Sequence, residues 1–77
     1  MKKLTLEKEE SLTGITIYKV FFGIECLFRR EAIGNNAILC TDGRTVAETE
    51  AQAAYDLYKD KISAGYPKTT IMESIEI

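Results

Sequence analysis

The chain has 77 residues and a mass of 8.7 kDa, with 10 Lys and Arg against 12 Asp and Glu for a formal net charge of -2. It contains no His, no Trp, one Pro and two Cys. A chain of this length holds one domain, expected over residues 1–77, and buries only about 60% of the surface its unfolded form exposes. The missing His excludes His-based acid–base catalysis and the usual zinc ligand sets.

Ile, Leu, Val and Phe together number 20, enough apolar surface for the chain to fold. Nine Ile and eight Thr lean it toward strands. Five of the seven Ala lie between Ala47 and Ala64, which leans that stretch toward helix. No apolar run approaches the roughly 20 residues of a membrane span, and the first residues lack the apolar core of a secretory signal. The expected location is therefore cytoplasmic, with Cys26 and Cys40 reduced and buried in apolar runs.

In chain order, residues 2–8 alternate, with Leu4 and Leu6 on one face and Lys3, Thr5 and Glu7 on the other. That is the pattern of a half-buried strand. Residues 15–31 form the most apolar part of the chain and are too long for a single ordinary strand. Gly23 either opens a tight turn or marks a bulge, and a hairpin is preferred although Ile24 is a poor turn partner. Gly34-Asn35-Asn36 predicts a turn, Ala37 to Thr41 a further strand, and Asp42-Gly43 another turn.

Thr45 followed by Glu48 fits a capping box and predicts a helix over about 46–64. Ala47, Ala51, Ala54, Leu57, Tyr58 and Ile62 form its apolar stripe, and the small residues in its first half allow close approach to a sheet. Gly65 and Pro67 end it. Residues 69–77 alternate again, with Ile71, Glu73, Ile75 and Ile77 on one face and Thr70, Met72, Ser74 and Glu76 on the other. They predict a last strand pinned beside an earlier one after crossing over the helix. The expected fold class is therefore α+β: a mainly antiparallel sheet of four to five strands in the order β-β-β-β-α-β, with one helix on one face.

Motifs for chemistry are sparse. Ser11, Ser63 and Ser74 have no activating base, and no phosphate-binding glycine loop is present. The expectation is a protein that is not an enzyme and has no cofactor, metal or catalytic residues. Arg29, Arg30, Arg44 and Lys19, with aromatics nearby, allow an alternative as a small nucleic-acid-binding regulator, but the net charge argues against a large phosphate footprint.

Residues 15–22 are apolar on both faces: Ile15, Ile17 and Phe21 on one, and Tyr18, Val20 and Phe22 on the other. One helix covers one face of a sheet, so a second copy, another protein or the N-terminal segment is expected to cover the rest. The leading expectation is a protein-interaction module, either a homodimer or an inhibitor or adaptor such as a phage or mobile-element inhibitor of a host system. Its partner-binding residues would be Tyr18, Phe21, Phe22, Phe28, Arg29 and Arg30. Glu73 sits among isoleucines; simple exposure near the terminus is expected, with a block to unwanted edge pairing or an ion pair with Lys19 as alternatives.

Overall fold

The computed structural model describes residues 2–77. Three strands come first: β1 (Leu4–Glu10), β2 (Thr16–Phe22) and β3 (Glu25–Glu31). A single helix, α1 (Val46–Ser63), follows. The strands form one antiparallel sheet in the order β1-β2-β3, each pairing with its neighbour in the chain. The architecture is thus a small α+β fold with a three-stranded sheet and one helix.

The alternation in β1 sets its register. Leu4 lies opposite Phe22 and Leu6 opposite Val20. Paired residues share a face of an antiparallel sheet, so these apolar side chains line the side beneath the helix. The connection to β2 is closed by Ser11, whose Oγ accepts the Ile15 N–H at 3.0 Å and whose carbonyl accepts the Gly14 N–H at 3.1 Å.

Of the two readings of Gly23 the hairpin forms, and the single long bent strand with a bulge at Gly23 does not. Gly23-Ile24 forms a two-residue hairpin loop between β2 and β3, with Gly23 at φ +64° and no positive φ at Ile24. Positive φ at the first loop residue alone is the type II′ pattern, whose twist matches the flanking strands. A bulge lies further along. Val20 pairs with Phe28 but Phe21 pairs with Cys26, which leaves Leu27 as the extra residue of β3.

The helix follows its sequence signals closely. Thr45 is the N-cap, and its Oγ1 accepts the Glu48 N–H at 3.1 Å. At the other end Gly65 takes φ +100°, with its N–H donating to the Ile62 carbonyl and the Tyr66 N–H to the Lys61 carbonyl. These two bonds make a Schellman cap and satisfy carbonyls that the helix end leaves free. Ala47 and Ala51 are fully buried against Tyr18, with Leu6, Phe28 and Ala32 packed around them. The small side chains bring the helix close to β2 at that end. Leu57, assigned to the same stripe, is instead exposed.

Two contacts orient α1 on the sheet. Arg30 Nε lies 3.0 Å from Glu50 Oε2, and the Tyr58 hydroxyl donates to the Leu27 carbonyl at 3.3 Å. The helix therefore starts near the end of β3 and ends near its beginning, antiparallel to it.

Two expected strands do not form, so neither the four- to five-strand count nor the β-β-β-β-α-β order is found. Residues 34–37 wind into a 3₁₀ turn instead of an open turn, and the segment after it makes one isolated bridge, Leu39 with Thr45. The cause is local hydrogen bonding. Ile38 accepts from the Val46 N–H, while Cys40 donates to Arg44 and accepts from Gly43. The Val46–Ile38 and Cys40–Arg44 bonds are those of the bridge itself, so these backbone groups pair within the loop and not with the sheet. Ile38 and Leu39 stay exposed, and Cys40, expected to be buried, is half-exposed.

Residues 69–77 join no ladder, and Ile71, Met72, Ile75 and Ile77 are all exposed. Among the described residues, no backbone hydrogen bond joins the segment to a strand of the sheet. The molecule measures 56 × 27 × 24 Å with a radius of gyration of 16.6 Å, against about 11–12 Å for a compact chain of this length.

A candidate contact site at the hairpin and helix end

The alternation of β2 divides the expected partner-binding residues between two faces. Tyr18, Phe22, Phe28 and Arg30 lie on the helix side, as their pairing partners and helix contacts show. Tyr18 is 5% exposed and belongs to the core. Phe21 and Arg29 lie on the open side.

That open face is less apolar than β2 alone suggests. Lys19 sits between Glu7 of β1 and Arg29 of β3 and forms an ion pair with Glu9 at 3.4 Å. Arg29 pairs with Glu31 at 2.8 Å. The neighbouring strands thus place charges on both sides of the β2 stripe, as on the solvated side of an antiparallel sheet. Its apolar residues are reduced to Ile17, Phe21 and Cys26. Cys26, expected to be buried, is exposed here.

The arginines of the nucleic-acid alternative are dispersed and occupied. Arg29 meets Glu31 on the open face, Arg30 meets Glu50 on the helix face, and Arg44 meets Asp42 in the loop before the helix. Asp42 also accepts the Arg44 backbone N–H at 3.1 Å. That bond first, and the guanidinium second, hold its carboxyl below the ordinary value of 3.8.

An apolar concavity lies where the β2–β3 hairpin meets the end of α1. A groove of ≈ 320 Å³ opens between Phe22, Leu27, Tyr58, Ile62, Tyr66 and Pro67. Each element supplies part of it. The hairpin turn brings Phe22 to the sheet end, and the bulge turns Leu27 toward the helix. Tyr58 and Ile62 belong to the second half of the apolar stripe, where large residues hold the helix off the sheet. The Schellman cap then directs Tyr66 and Pro67 across the opening.

The rim is basic. Lys61 and Lys68 each place their ammonium group 4.9 Å from the Tyr66 ring, and Lys2 lies 5.4 Å from the Phe22 ring. Among the described residues no group of His, Cys, Asp or Glu is arranged to hold a metal ion, and no helix is long and apolar enough to cross a membrane.

Sequence reasoning selected Phe22 but missed Leu27, Tyr58, Ile62 and Tyr66 as one surface. The only available signal was the change from Ala to large residues along the helical stripe. Glu73 is exposed, as expected near the terminus, and the alternative of an ion pair with Lys19 does not form, since Lys19 pairs with Glu9. Compared with family models, with curated proteins and with solved structures, the chain matches none of them.

Proposed function

We propose that this chain is a non-enzymatic protein-interaction module, acting as a homodimer or as an inhibitor or adaptor of another protein. The observation that carries this reading is the exposed apolar surface of residues 69–77. Ile71, Met72, Ile75 and Ile77 are 77%, 90%, 80% and 111% exposed. Isolated apolar residues on a surface are ordinary, but four large ones in seven positions form the kind of patch that marks a contact. Their alternation suits recognition by strand addition, in which the backbone supplies hydrogen bonds and alternate side chains supply selectivity. The groove at the hairpin and helix end, where Phe22 lies, and Phe21 and Arg29 on the open face are further surface for the same contact.

Affinity capture followed by reconstitution with purified components tests the reading. A partner, a second copy included, that binds the wild-type chain and is lost by an Ile71→Asp, Ile75→Asp double variant supports it. Equal binding by both chains, or no binding by either, overturns it.

A further inference from the structure

We infer that the partner is a second copy of this chain, and that residues 69–77 of each copy add as an antiparallel strand to the free edge of β3 in the other. The inference rests on the protein-interaction reading above and names its partner. β3 is an edge strand with no strand paired on its outer side among the described residues. Such an edge is a template for pairing unless something blunts it. The chain supplies both halves of the junction, an open edge of seven residues and a projecting segment of nine with strand periodicity. Reciprocal exchange between two copies satisfies both edges and closes on itself.

Charge selects β3 over the other open edge. Residues 69–77 carry Glu73 and Glu76 and no base. β1 sets Glu7, Glu9 and Glu10 against Lys8 and repels them, whereas β3 balances Glu25 and Glu31 with Arg29 and Arg30 and places both arginines toward the middle of the edge.

Side-chain alternation then fixes a register. With Glu73 opposite Arg30, Ile75 falls opposite Phe28 and Ile71 opposite Ala32. Phe28 and Ala32 already pack against the core beneath α1, so both isoleucines extend that core. Arg30 is 48% exposed and can meet Glu73 while retaining Glu50. Ile77 continues toward Leu27 and the apolar groove. In this arrangement Glu73, anomalous among isoleucines, becomes the residue that aligns the strands.

Docking onto the chain's own β3 is the competing arrangement. The helix ends near the beginning of β3, and a strand leaving there would run parallel to β3, which is the less stable pairing. Residues 69–77 make no ladder with their own sheet, so exchange breaks no pairing already made.

Sedimentation equilibrium on the full chain, with charge-swapped variants, decides between them. The wild-type chain is expected to dimerise, and Glu73→Arg or Arg30→Glu alone to weaken dimerisation about tenfold. An equimolar mixture of the two variants should recover wild-type affinity, because each junction of the mixed dimer then pairs opposite charges. Arg30→Glu also removes the contact to Glu50, so Ile75→Asp serves as a second variant and should weaken association at least as much. A monomer up to high micromolar concentration overturns the exchange, as does a mixture that recovers nothing. If that monomer still binds a different protein through residues 69–77, the exchange falls and the interaction reading stands. If it binds nothing, both fall.

Discussion

At the scale of single residues, two positions carry conformational or electrostatic roles that substitution should expose. Gly23 holds φ +64° at the first position of the β2–β3 loop, and a Cβ there would lie 3.3 Å from the Lys2 side chain. Lys2 can move aside, but the backbone strain cannot be relieved in so short a loop. Gly23→Ala should therefore cost about 1–2 kcal/mol, read as a shift in urea midpoint at unchanged slope. Asp42 concerns charge. Its carboxyl is held below 3.8 by hydrogen bonds that favour the ionised form. A depressed folded value means that the contribution is present at neutral pH and is lost as pH falls through the folded value. An NMR titration should place the Asp42 midpoint below 3.8, and Arg44→Ala should raise it toward that value.

At the scale of elements, the helix is the best-specified part of the chain. It can be read from Thr45, Glu48, the alanines and Gly65 because capping and helical periodicity are local properties. Thr45→Ala removes the acceptor for the Glu48 N–H and should destabilise the fold by about 1 kcal/mol, with Thr45→Ser restoring most of it. Thermal melts followed by circular dichroism would show both. The segment after β3 shows where local reading fails. Ala37 to Thr41 is apolar enough for a strand, but a strand needs a neighbouring edge, and sequence does not announce one. Asn35, Asn36, Asp42 and Gly43 offer short-range bonds instead, and those won.

At the scale of the whole molecule, the same asymmetry governs the candidate site. The period-2 pattern of residues 69–77 was legible, whereas its pairing depends on distant geometry and was not. The groove was hidden for a related reason, since Phe22, Leu27, Tyr58 and Tyr66 become neighbours only after the helix has docked. The buried residues lie elsewhere, with Tyr18, Val20, Ala47 and Ala51 between sheet and helix and Ile17 on the other face of β2. Deleting residues 69–77 should therefore change the unfolding free energy of the dilute monomer by less than about 0.5 kcal/mol, as expected for sites away from buried contacts. It should also bring the radius of gyration down toward the compact value, as small-angle X-ray scattering would report.

The strand order β1-β2-β3 has a kinetic meaning as well. Each strand meets the one just before it through a loop of at most five residues, so no long loop must close before the sheet can form. The entropy of loop closure is small at every step, and topologies of this sort reach their transition state quickly. Nothing in that route waits for residues 69–77. Under the proposed exchange the nascent domain would acquire its core first and engage a second copy afterwards, so assembly would be a separate, concentration-dependent event laid over a finished monomer.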